Sequence, residues 1–201
     1  MKFMLGTKGR MTQVYDEAGV LRPATVVTAG PLTVVQLKGK DKDGYEAAQV
    51  GYGAAKAKNL TKAVLGHAKG TPFRFFREMP LEGQMEVGKS IDVSVFNPGD
   101  VVAVSAVSKG KGFQGVVKRH GFHGGPRSHG QKNKERAPGS ISGAGRAGGR
   151  VSLGMRMGGR MGGERVTVRN LKVLQVDKDT NTLVISGAVP GKPGSFVEIR
   201  G

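Results

Sequence analysis

The residues best placed to do chemistry in this sequence are cations set singly between glycines. Lys109, Lys111, Lys118, Arg119, Arg127, Lys132, Lys134, Arg136, Arg146, Arg150, Arg156 and Arg160 fall in one internal stretch, which Arg165 closes. Residues 109–165 hold thirteen Lys or Arg, two acids (Glu135 and Glu164) and seventeen Gly. Their net charge is +11, out of +17 for the whole 201-residue chain. Such a pattern neutralises a polyanion, and nucleic acid is the commonest one. His120, His123 and His129 share the stretch with Phe122, so rings that can donate to phosphate or stack on bases lie among the cations. Gly110, Gly112 and Gly115, then Gly121, Gly124 and Gly125, let the backbone pass close to another surface. Single cations at short intervals suit a chain that threads folded RNA and touches successive phosphates.

Other chemistries find less support. Gly143, Gly145 and Gly148 spell G-x-G-x-x-G, but that fingerprint works only between a buried strand and a helix. Here Pro138, Gly139 and Ser140 precede it and Gly149 follows, so no nucleotide site is expected. The three histidines have spacing suggestive of a metal. The chain has no Cys, however, and Lys118, Arg119 and Arg127 would repel a divalent ion. Neither a metal nor a cofactor is expected. No paired carboxylates and no nucleophile–base pattern stand out, so the reading is not an enzyme and not a binder of small-molecule substrates.

The elements that must position this stretch lie on either side of it. Between Lys118 and Arg150 the only large apolar side chains are Phe122 and Ile141. So little burial cannot offset the roughly 1–2 kcal/mol per residue that ordering a backbone costs. The remaining 144 residues carry nineteen Lys or Arg against thirteen acids and can build an ordinary core. Residues 1–29 read as a β-hairpin turning at Asp16–Gly19, 32–37 as a third strand and 45–50 as a fourth. Leu60, Ala63, Val64 and His67 share one face of a short helix. Phe73 and Phe75 alternate in an extended segment that covers the core. Ile91, Val93 and Val95 predict a strand, Val102, Val104 and Ala106 another, and 166–176, 183–185 and 196–199 three more. Short strands with Gly/Pro turns predict a small barrel or sandwich. No signal-peptide run and no stretch of ~20 apolar residues is present, so a cytoplasmic protein without a membrane partner is expected.

At Ser108–Arg119 the run SKGKGFQGVVKR resembles the signature of the universal large-subunit ribosomal protein L-three family. Ser128–Gly130, Pro138–Ile141, Met161–Val168 and Gly187–Gly191 continue the likeness in order, and Met11–Gly19 and Asp43–Val50 resemble the bacterial form. Ala103 and Arg10 depart from the family's usual residues. Some bacterial relatives carry a methylated Gln in the loop; residues 138–165 contain no Gln, so that modification is not carried over. The resemblance implies a mainly β fold: a six-stranded translation-protein-like barrel, a small α/β insert and a long basic extended internal loop. It places the barrel body at 1–37, 81–108 and 166–201, the insert at 38–80 and the RNA-penetrating arm at 109–165. It also implies binding to large-subunit (23S) rRNA near its 3′ end, a part in starting subunit assembly, and the L-fourteen and L-nineteen proteins as neighbours. The loop would reach toward the peptidyl transferase centre; the small residues that make up most of Gly143, Ala144, Gly145, Arg146, Ala147, Gly148 and Gly149 mark that run as the expected tip. Two other classes remain open from the residues alone: an RNA-acting enzyme with a basic substrate arm, and a non-ribosomal nucleic-acid binding module.

Overall fold

The computed structural model of the chain describes residues 2–16, 19–81, 85–141 and 148–201. It divides the chain into two compact units, residues 1–107 with 165–201, and residues 108–164. In chain order the first unit opens with β1 (Phe3–Tyr15), β2 (Leu21–Ala29), β3 (Leu32–Lys38), α1 (Lys40–Asp43), β4 (Ala47–Ala54) and α2 (Lys62–His67). β5 (Phe73–Pro80), β6 (Ser90–Ile91) and β7 (Val101–Val107) follow. The second unit contributes β8 (Phe113–Gln114), α3 (Val116–His120) and β9 (Gly159–Arg160). The first unit resumes with β10 (Arg165–Asp177), β11 (Thr182–Ser186) and β12 (Phe196–Arg200).

Six of these strands close a barrel in the order β1-β12-β7-β10-β11-β2, all neighbours antiparallel. Closure removes the unpaired edges that an open sheet would leave. The inward set is what the alternation demands: Val102, Val104 and Ala106 are buried on β7, while Val101 and Val107 face out. Leu5, Val27, Leu183, Ile185, Val197 and Ile199 meet them in one hydrophobic cluster. The 108–164 stretch is thus inserted between two paired barrel strands, β7 and β10, whose register matches Val107 with Arg165.

A second sheet runs β5-β4-β3-β6. β3 pairs with β4 and β6 and takes no part in the barrel ladder. Its apolar face, with Val34, Val50 and Tyr52, joins the barrel core. Phe75 stacks on Phe196 of β12 at 4.3 Å between centroids and packs against the core, whereas Phe73 meets Phe76 edge-on at 6.1 Å. Thr61 caps α2 by accepting the Val64 N–H on its side-chain oxygen.

One strand expectation is corrected. Ile91 ends the two-residue β6, and Val93–Val95 coils into a 3₁₀ turn. Its bonds run from the Phe96 N–H to the Val93 carbonyl at 3.0 Å. Residues three apart eclipse in such a turn, so Val93 and Phe96 both bury while Val95 stays exposed. A strand here would have driven Val93 and Val95 to the same side and left Phe96 on the other.

Among the described residues of this unit one carboxylate is buried. Glu198 is 3% exposed and accepts Arg77 Nε at 2.6 Å and Arg165 Nη1 at 3.2 Å, with Arg200 Nη2 at 3.8 Å. A charge without water needs such partners. Nothing in the sequence pattern signals it, because alternation with the buried Val197 and Ile199 puts Glu198 on the outward face of β12.

Candidate nucleic-acid interface

Residues 108–164 begin as two limbs in backbone contact. The Ser108 N–H donates to the Glu164 carbonyl at 2.8 Å, and the Lys111 N–H to the Met161 carbonyl at 2.9 Å. The Met161 N–H returns a bond to the Gly112 carbonyl at 2.9 Å, and β8 then pairs with β9. The limbs come this close because Gly162 has no side chain. Its φ is +72°, and a Cβ there would lie 2.1 Å from the Lys109 carbonyl oxygen.

Beyond this neck stands α3, an element with no counterpart in the sequence reading. Five residues are far too few for a helix to hold by propensity. Val116 is buried, and Lys118, Arg119 and His120 occupy the last turn, where cations complement the helix dipole. Gly121 ends the helix in the left-handed conformation, its N–H donating to the Val117 carbonyl at 3.0 Å. The opposite limb then fixes it: Arg119 Nη1 and His120 Nε2 both donate to the Met157 carbonyl, each at 3.0 Å.

A second backbone lock follows. The Gly125 N–H donates to the Glu135 carbonyl at 2.9 Å. Gly124, at φ +80°, passes so close that a Cβ would lie 2.0 Å from that same oxygen. Between the lock and α3 lies an open concavity of about 910 Å³.

The cations expected to meet phosphate are on the surface. Lys109, Lys111 and Lys118 are exposed, as are Lys132, Lys134 and Arg136, and Arg150, Arg156 and Arg160. None of these nine side chains has a partner among the described residues. Arg127 is exposed too but is paired with Glu135 at 2.6 Å. Arg119 and His120 are half-buried on Met157. Phe122 is half-buried with its ring tilted against His120 at 5.9 Å between centroids, while His123 and His129 are exposed. Of the expected tip, Gly143, Ala144, Gly145, Arg146 and Ala147 lie outside the described residues. Gly148 and Gly149 both adopt positive φ, +57° and +75°. Sequence reasoning missed the Met157 carbonyl and the Glu135 lock. Neither had a signal, because both are main-chain oxygens; the Glu135 carboxylate pairs with Arg127 instead.

A six-stranded antiparallel barrel carrying a glycine-spaced cationic excursion between two paired strands defines a translation-protein-like class of β protein. The model of the family described as ribosomal protein L3 matches residues 82–198. The large ribosomal subunit protein uL3 of Herpetosiphon aurantiacus is 48% identical over 98% of this chain and 94% of its own length. The uL3 of Acidothermus cellulolyticus is 49% identical over 100% of this chain and 92% of its own. The uL3c of Cyanophora paradoxa is 48% identical over 98% and 95%. The chain belongs to the ribosomal protein L3 family.

Proposed function

We propose that the protein is a structural constituent of the large ribosomal subunit that orders large-subunit rRNA and carries out no reaction of its own. It would act in the cytoplasm as part of that subunit. The observation that carries this reading is the set of nine exposed cations on residues 108–164 that have no partner among the described residues. A protein keeps so much unpaired positive charge together when a polyanion supplies the countercharge. In this reading Lys109, Lys111, Lys118, Lys132, Lys134, Arg136, Arg150, Arg156 and Arg160 neutralise phosphates, joined by Arg146. Arg119 and His120 serve first to hold α3 against Met157, with Phe122, His123 and His129 available to bases. The family relatives, named as large-subunit proteins, support the assignment of the partner as rRNA. Binding near the 3′ end of the 23S rRNA, a part in starting assembly and contacts with the L-fourteen and L-nineteen proteins belong to the same proposal. So do the division into body (1–37, 81–108, 166–201), insert (38–80) and arm (109–165), and the reach of residues 143–149 toward the peptidyl transferase centre.

Hydroxyl-radical footprinting of the purified protein on large-subunit rRNA tests it. Protected nucleotides should cluster in the 3′ portion. Footprints scattered evenly over the RNA would overturn the reading.

A further inference from the structure

The concavity between α3 and the Gly125–Glu135 lock is not explained by phosphate neutralisation. Exposed cations on a ridge would serve that purpose without a hollow. Its volume, about 910 Å³, falls in the roughly 300–1,000 Å³ range of sites that take a small organic group. Its lining combines two kinds of surface. His120 and Phe122 give it aromatic faces, and the His120 ring is fixed by its bond to the Met157 carbonyl. Lys134 and Arg156, both exposed and without partners among the described residues, stand at its wall as cations. Gln131 and Ser140 also line it, and neither side chain has a hydrogen-bond partner among the described residues.

We propose that this hollow is a receptor for one unstacked nucleotide, with the base against Phe122 and His120 and its phosphate between Lys134 and Arg156. The proposal rests on the RNA-binding reading above and deepens it. Sequence-tolerant recognition of splayed-out bases on aromatic faces flanked by cations is a general mode of RNA binding. A Gln carboxamide and a Ser hydroxyl can each donate and accept, so Gln131 and Ser140 can meet the polar edge of a base of either kind. A paired base cannot enter, since its edge is occupied and its faces are stacked. The hollow therefore distinguishes an extruded nucleotide from a continuous duplex, a distinction charge alone does not make.

The test uses the full-length chain and two RNA hairpins with the same stem, one with a single bulged 2-aminopurine and one fully paired. Base–aromatic stacking implies about tenfold tighter binding of the bulged hairpin at equal salt, with a change in 2-aminopurine fluorescence on binding. Phe122→Ala should bring the two affinities together by weakening binding of the bulged hairpin. Ser140→Tyr, which fills the hollow from an exposed position, should do the same and guards against a folding defect at Phe122. Equal binding of the two hairpins by the unaltered chain would overturn the proposal, and so would a preference that survives both substitutions. A steep salt dependence that persists in either case would leave the phosphate-neutralising role standing.

Discussion

Salt is the sharpest probe of the arm's cations, because each phosphate contact releases condensed counterions. The described residues offer nine exposed cations without partners, from Lys109 to Arg160. If eight or nine contact phosphate, log K should fall against log[salt] with a slope of about −6 to −8, at roughly 0.7–0.9 per contact. Raising salt from 50 to 200 mM would then weaken binding by roughly 10⁴-fold. Fluorescence anisotropy with a labelled 3′ fragment of large-subunit rRNA gives the slope directly. The ion pair between Arg127 and Glu135 refines the expectation. Glu135→Gln frees Arg127, so this variant should bind no more weakly than the parent and should steepen the slope by up to about one. Lys111→Gln should make it shallower by about the same amount. A slope near −2 would refute the reasoning, as would a Glu135→Gln variant with a shallower slope than the parent.

Three further outcomes are expected of the free protein. Glu198→Gln removes the negative charge shared by Arg77 and Arg165 and leaves one neutral acceptor oxygen, while both arginine side chains are about half exposed and can return to water. The loss should therefore be about 2–3 kcal/mol, below the roughly 3–5 typical of a wholly buried pair, and visible in the urea midpoint. A change under about 0.5 kcal/mol would show that the cluster is neutral. Gly162→Ala should part the limbs of the neck, and faster amide exchange at Lys111 and Met161 would report it; unchanged protection there would sink the idea. Asp100 is held below the ordinary carboxylate range by the Asn97 N–H and then by Lys2, and Glu78 by Lys38 and then Tyr45. A lowered folded pKa gives stability that is present above the unfolded value and lost as pH falls through the folded one. The acid limb of the stability curve, below about pH 4, should flatten in Asp100→Asn; an unaltered limb would remove Asp100 from the account.

The barrel was legible because alternation is a local signal. Val102, Val104 and Ala106 announced β7, and the turn at Asp16–Gly19 announced the hairpin of β1 and β2. Val93–Val95 misled for the same reason: alternation over Ile91, Val93 and Val95 cannot separate a strand from a turn that buries residues three apart. The family resemblance supplied the six-stranded closure, which alternation alone left open between a barrel and a sandwich. In the arm, charge and exposure were legible from residue type. The contacts that shape it were not, since they are made to main-chain oxygens at Met157, Glu135 and Lys109. Every residue carries such an oxygen, so no pattern of side chains marks the ones that matter.

Those main-chain contacts also explain how so cationic a stretch can be held in a defined form. Side-chain packing is scarce: Val116 is the sole member of residues 108–164 among the buried apolar residues described. Like charges at close range repel, so massing them would resist any compact arrangement. Glycine between the cations separates the charges and brings backbone to backbone at Gly124 and Gly162, where hydrogen bonds need no apolar partner. These locks define the neck, α3 and the walls of the hollow. The cations are then left at the surface with their charge unspent, which is the condition a phosphate-neutralising arm requires.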